Sequence, residues 1–210
     1  MPTFGVLART ASFKGRIQEE PKLPDGSATE RHEPRALFIS CSDARLSPER
    51  LTSARAGELF VTRNVANIVP PFGTGEVGVG AVVEYAVLHL QVEHLVVCGH
   101  TDCGGIKALS APLDRSREPH IARWIEHARP AATKVEASGL PSEDRHLATV
   151  RENVLLQLEH LRSYDPVREG ERAGTLTLHG WVYLLERASL ERFDPRSAVW
   201  VPLEEGIEIL

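Results

Sequence analysis

Two short stretches concentrate the residues capable of chemistry: Cys41-Ser42-Asp43-Ala44-Arg45 and Cys98-Gly99-His100-Thr101-Asp102-Cys103-Gly104-Gly105. Each follows an apolar run. Together they offer thiols and an imidazole, the donors that borderline-soft Zn²⁺ prefers. Three protein ligands leave one corner of a tetrahedron open, and an open corner separates a catalytic zinc from a structural one. Asp43 and Arg45, two and four residues past Cys41, would set a carboxylate and a guanidinium beside the metal. Gly104 and Gly105 let backbone come close to a ligand.

The elements that must position these residues are legible as apolar runs. Ala36-Leu37-Phe38-Ile39-Ser40 suits a buried strand, as do Glu58 to Thr62 and Leu95 to Cys98. These runs are apolar on both faces, as expected of parallel strands covered by helices. Thr175 to Leu178, continuing to Trp181-Val182-Tyr183, and Ser197 to Val201 are two further strand candidates. Helical spacing runs from Gly75 to Leu90, from Pro119 to Val135 with an interruption or restart at Pro130, and from Ser142 to Leu161. In the last, Leu147, Val150, Val154, Leu155, Leu158 and Leu161 form one stripe, with Ser142 as expected N-cap. Strand–helix alternation gives an α/β fold with a central, mostly parallel sheet of four to five strands flanked by helices. In such sheets ligands gather at the carboxyl ends of the strands, so two neighbouring strands would bring their trailing loops over one metal ion. Residues 1–34, polar and broken by prolines, read as an arm that is loop or helical. Residues 35–210 read as one catalytic domain.

The bulk properties narrow the function classes. A formal net charge of -5 argues against nucleic acid, whose binders present a basic face. Three cysteines and no apolar leader point to a reducing compartment, hence the cytoplasm, and to metal or thiol chemistry rather than disulfides. No apolar run approaches the ~20 residues of a membrane span. Taken singly, Cys98 reads as a buried small hydrophobe and Asp102 as a solvated or capping loop acid. His89, His94, His120, His127, His146 and His160 read as surface or packing residues, His179 as structural, and Tyr85 as core or interface. A redox dithiol from Cys98 and Cys103 has the wrong spacing for the familiar motif.

The two loops resemble the β-class carbonic anhydrase family, whose landmarks are Cys-x-Asp-x-Arg and, some sixty residues on, His-x-x-Cys-Gly. Here they read Cys41-Ser42-Asp43-Ala44-Arg45 and His100-Thr101-Asp102-Cys103-Gly104. The similarity continues through Gly57-Glu58-Leu59-Phe60-Val61-Thr62-Arg63-Asn64-Val65-Ala66-Asn67, Val83-Glu84-Tyr85-Ala86-Val87 and His179-Gly180-Trp181-Val182-Tyr183. The resemblance implies a four-stranded parallel sheet extended by another strand, a homodimer often paired into a homotetramer, and one Zn²⁺ per subunit on Cys41, His100 and Cys103. Asp43 and Arg45 would form the family's dyad: in one state Asp43 takes the fourth zinc position, and in the other Arg45 holds it away and water binds. The implied reaction is reversible hydration of CO₂ to bicarbonate by hydroxide on the zinc, with the Gly104 amide presented to a substrate oxygen. Where many relatives carry a glutamine, nine residues before Cys41, this chain has His32, and altered substrate binding is the expectation. Two other functions fit the same residues: hydrolysis of CS₂ or COS on the same site, and a non-enzymatic zinc- or bicarbonate-binding role. The Asp43–Arg45 pair speaks against the latter, since a structural zinc needs no such dyad.

Overall fold

The apolar runs become strands because their backbone groups pair with one another while their side chains leave water. The computed structural model describes residues 32–111 and 113–203. The chain divides into two compact units, Met1–His32 and Glu33–Leu210, and the elements named below belong to the second. The N-terminal arm expected over residues 1–34 falls, up to Arg31, outside the described residues. In chain order the strands are β1 (Ala36–Cys41), β2 (Leu59–Asn64), β3 (His94–His100), β4 (Thr177–Leu184), β5 (Ser189–Asp194) and β6 (Val199–Pro202). The helices are α1 (Pro48–Thr52), α2 (Val77–Glu84), α3 (Gly104–Lys107), α4 (Pro119–Trp124), α5 (Arg129–Ala137), α6 (Ser142–Leu161) and α7 (Asp165–Ala173).

The strands form one sheet in the order β2-β1-β3-β4-β5-β6. The first four run parallel, and β5 and β6 add on antiparallel. The fold is therefore the expected α/β architecture, with six strands in the sheet. The strand missing from the sequence reading is β5, Ser-Leu-Glu-Arg-Phe-Asp, whose charged residues hide the alternation. Every residue of β1 is buried, as is all of β3 after His94. Strand β2 differs from the expectation of two apolar faces: it lies at the sheet edge and is only half-buried.

The three helical stretches expected from sequence are present, with three refinements, while α1, α3 and α7 lie outside them. Helix α2 widens into a π-helical turn at Tyr85–His89. The helical segment after Pro119 breaks into α4, a 3₁₀ turn at Ile125–Ala128, and α5 with Pro130 in its first turn. A proline there costs nothing, because the first amides of a helix have no intrahelical acceptor. The third concerns α6: Ser142 is its first helical residue and not its cap, Pro141 holds the N-cap position, and no side chain caps it.

Helix α6 lies on the sheet at close range. A Cβ on Gly99 of β3 would stand 2.9 Å from Val154 Cγ2 and 3.0 Å from Val150 Cγ1. One on Gly180 of β4 would stand 3.0 Å from Val154 Cγ1. The absence of two side chains thus sets the depth at which α6 docks. On the opposite sheet face Phe38, Val96, Cys98 and Trp181 form a second apolar cluster. His179 lies beside it, 3.1 Å from His94 and tilted against Trp181. Burial, followed by the charges of His94 and Arg192, pushes its pKa from 6.5 down to about 4. No helix among the described residues is long and apolar enough to cross a membrane.

This packing has two measurable consequences. Gly99→Ala should destabilise the fold by about 1–3 kcal/mol through overpacking, read as a lower midpoint in urea; an unchanged midpoint would show that α6 yields freely. His179 is neutral in the fold but takes a proton near pH 6.5 when unfolded, so its contribution is complete above pH 6.5. It is lost as pH falls toward 4, for a total of about 3 kcal/mol. Unfolding free energies of the parent and His179→Gln, measured from pH 7 to 4, should diverge in slope over that window; parallel curves would contradict the assignment.

Candidate metal centre

Strand order places the chemistry. Strand β1 has β2 on one side and β3 on the other, so the chain leaving β1 and the chain leaving β3 turn away in opposite directions. Open α/β sheets bind ligands in the crevice that such a reversal leaves. Cys41 is the last residue of β1, His100 the last of β3, and Cys103 the residue before α3. The two thiol sulfurs and a ring nitrogen of His100 lie within 4.8 Å of one another, and all three residues are buried. Among the described residues no other group of three or more such side chains comes close enough to share an ion.

The donor set fits a tetrahedral zinc. The sulfurs are 4.0 Å apart, close to the roughly 3.8 Å that two Zn–S bonds of about 2.3 Å would span. His100 Nδ1 donates to the Thr101 carbonyl oxygen at 2.8 Å, which leaves Nε2 as the nitrogen that can offer a lone pair to a metal. That Nε2 is buried and has no hydrogen-bond partner. A fixed Nδ1–H with an open Nε2 is the arrangement of a ligating histidine. Thr101 is held in turn by the turn after β4: its hydroxyl donates to Glu186 at 2.7 Å and accepts the Leu185 amide at 2.9 Å.

Electrostatics point the same way. The hydrogen bond from the Cys103 thiol, opposed by burial and reinforced by the His100 side chain and by the backbone at Ala66 and Asp43, brings Cys41 from 9.0 down to about 4. Cys103 moves upward, through the same hydrogen bond to Cys41 and through burial. The pair therefore releases one proton readily and keeps the second, and a divalent cation between the sulfurs would take that proton's place. Cys98 behaves otherwise: complete burial pushes its thiol up to about 12, the inert hydrophobe read from sequence.

A chain of alternating charges borders the thiols. Arg45 Nε donates to Asp43 Oδ1 at 2.9 Å and Nη2 to Oδ2 at 2.7 Å, while the Arg45 amide donates to Oδ1 at 2.9 Å. Those bonds hold the Asp43 carboxyl far below the usual carboxylate range. Asp43 Oδ2 stands 3.9 Å from His100 Nε2, at the rim of the cluster. The other side of Arg45 pairs with Asp102 at 2.8 Å, and Asp102 pairs with Lys107. Those two cations, Lys107 first, bring Asp102 down to about 2.

The structure thus brings Cys41, Asp43, Arg45, His100 and Cys103 together, with Gly104 directly following the last thiol. A Cβ on Gly104 would meet nothing within 4 Å, whereas one on Gly105 would press on Val65 and Ala66 at 2.8 and 2.9 Å. Three contributors escape the sequence reading. Asp102 reads by type and position as a solvated or capping acid, yet it braces Arg45. Arg63 near the end of β2 donates to the carbonyls of Cys41 at 3.0 Å and Asp43 at 2.6 Å, fixing the first ligand turn; an arginine directly after the apolar run Leu59-Phe60-Val61-Thr62 is the available signal. Thr101 sets the His100 ring, and nothing in its residue type announces that. His32 falls in the N-terminal unit.

Beside Ser42, Asn64 and Val65 a cleft of about 570 Å³ opens, walled by Ile121, Arg123 and Trp124.

Comparison with known proteins agrees with this geometry. The carbonic anhydrase family model matches residues 36–190. The chain is 44% identical over 184 residues to a carbonic anhydrase of Pseudomonas aeruginosa, covering 87% of this chain and 84% of that protein. It is 43% identical over 169 residues to one of Synechococcus elongatus, covering 79% of this chain and 62% of the relative. Among solved structures, the β-carbonic anhydrase CcaA superposes with a TM-score of 0.83 at 32% identity, over 96% of this chain and 91% of that one. The chain belongs to the β-class carbonic anhydrase family.

Proposed function

We propose that this chain catalyses the reversible hydration of CO₂ to bicarbonate and a proton, with one zinc ion per subunit held by Cys41, His100 and Cys103. The observation that carries the reading is the buried, unpartnered His100 Nε2 beside two thiols, with a clamped carboxylate at the rim. Zinc there would supply a Lewis acid that lowers the pKa of water at its open corner. Two thiolates and a neutral imidazole cancel the ion's charge, so the surrounding donors matter more than in a site of three imidazoles.

The chain's own residues do the rest. Arg45, always charged and forked, grips both oxygens of Asp43 and keeps the carboxylate off the open corner. Asp43 stays ionised and hence acceptor-only, so its spare lone pairs can take a hydrogen bond from the attacking water and aim that oxygen at the substrate carbon. Asp102, itself tied to Lys107, holds Arg45 from behind. Gly104 opens α3, so its amide has no intrahelical acceptor and can be presented to a substrate oxygen. CO₂ is small and apolar, and Val65, Ile121 and Trp124, which share the lining of the cleft beside Ser42 with Asn64, Glu76, His120 and Arg123, suit its approach. Val77, Tyr85 and Leu88 are exposed along α2 and its π turn, and this apolar face supports assembly into the expected dimer or tetramer.

Stopped-flow CO₂ hydration with metal-replete protein, run beside metal analysis, tests the reading. The parent should carry one zinc per chain and turn CO₂ over. Cys103→Ser should lose most of its zinc and its turnover together. Full zinc occupancy in that variant would remove Cys103 from the ligand set. A zinc-loaded parent that leaves CO₂ untouched but hydrolyses COS or CS₂, or does neither, would transfer the assignment to the corresponding alternative.

A further inference from the structure

Beside its apolar stripe, helix α6 carries two fully buried amides: Asn153 and Gln157 are 1% and 0% exposed. Buried amides must find partners, and theirs are the backbone of the segment after β2. Asn153 Nδ2 donates to the Ala66 carbonyl at 3.0 Å. Gln157 Oε1 accepts the Val69 amide at 2.8 Å, and Gln157 Nε2 donates to Asn153 Oδ1 at 2.8 Å. One turn on, His160 Nδ1 donates to the Val69 carbonyl at 2.8 Å. Tyr164, just past the helix, donates to the Pro70 carbonyl at 2.9 Å. One side of α6 and its end thus hold the backbone from Ala66 to Pro70.

That segment needs holding. Ala66 and Asn67 have φ of 63° and 48°, the left-handed region that residues with a side chain rarely adopt. It is also wedged between the two ligand-bearing turns. Asn64, two residues before Ala66, is the strand partner of Cys41, and its carbonyl accepts the Ser42 amide at 2.9 Å. On the other side, the Ala66 methyl lies where a Cβ on Gly105 would be 2.9 Å away, two residues past Cys103.

We propose that Asn153 and Gln157 are positioning residues of the metal centre: from α6 they lock the Ala66–Val69 backbone as a spacer that sets the Cys41 and Cys103 turns at ligand distance. The inference rests on zinc being the bound metal and adds that the spacing is enforced by protein groups before metal arrives. Groups that orient metal ligands from behind are worth roughly tenfold to hundredfold in metal affinity.

The test compares Asn153→Ala with Val167→Ala, a truncation in α7 of a buried side chain that makes no hydrogen bond to the Ala66–Val69 backbone. Zinc affinity is read by chelator competition, and ligand geometry by the thiolate-to-cobalt charge-transfer band of the Co²⁺-substituted protein. Asn153→Ala should bind zinc at least tenfold more weakly and shift the cobalt band, while Val167→Ala should lower thermal stability and leave both unchanged. Equal affinities in parent and Asn153→Ala, or the same loss in both variants, would overturn the proposal. If the parent binds no zinc, the underlying reading fails instead. A second measurement needs no variant: in the unsubstituted, metal-stripped protein, amide hydrogen exchange at Ala66 to Val69 should be as slow as in the middle of α6. Protection that arises only on adding zinc would show that the metal orders the segment, and would refute the spacer role.

Discussion

Two buried sulfur atoms 4.0 Å apart cannot both carry a full negative charge unless something positive stands between them. Among the described residues no buried side-chain cation stands at that point: His100 Nε2 has no hydrogen-bond partner, and Arg45 is committed to Asp43 and Asp102. The rest of the site can be understood as a response to that unmet demand for charge. The Thr101 carbonyl keeps the imidazole in the tautomer that can donate its lone pair. Arg63 pins the first thiol's turn by two carbonyls, and Arg45 keeps a third anion at the rim rather than at the centre.

The fold makes this arrangement reachable from ordinary parts. A sheet whose order reverses at β1 leaves a crevice between the ends of β1 and β3, and the chain must turn there on leaving each strand. Those two turns carry the ligands. Glycine works twice in setting distances: Gly99 and Gly180 let α6 settle on the sheet, and Gly105 lets the second ligand turn approach Ala66. Once α6 is at that depth, its amides reach the segment beyond β2. Packing on one face of the helix and spacing at the metal centre are therefore linked through a single element.

Much of this is legible in the chain. Strands β1 and β3 announce themselves because they are buried on both faces and so are continuously apolar. The thiol and imidazole residues stand out by type, and their attachment to strand ends is a matter of position. The hidden features have a common cause: they depend on partners distant in sequence. Strand β5 is made by pairing with β4 and β6, and Arg151 of α6 reaches over to Glu191 in it, so its charged residues look like a loop when read alone. Asn153 and Gln157 flank the apolar stripe of α6, and only the backbone they meet explains why buried polar residues sit there. Asp102 looks like any loop acid until Arg45, 57 positions earlier, is placed against it.

The central claim is that sulfur from two separate turns and one ring nitrogen surround a single ion with a corner left open. Zinc K-edge X-ray absorption on the metal-replete protein measures this directly. Two sulfur scatterers at about 2.3 Å with two light atoms at about 2.0–2.1 Å, one of them showing the outer-shell pattern of imidazole, is the expected result. A first shell of nitrogen and oxygen alone, or one with a single sulfur, would contradict it.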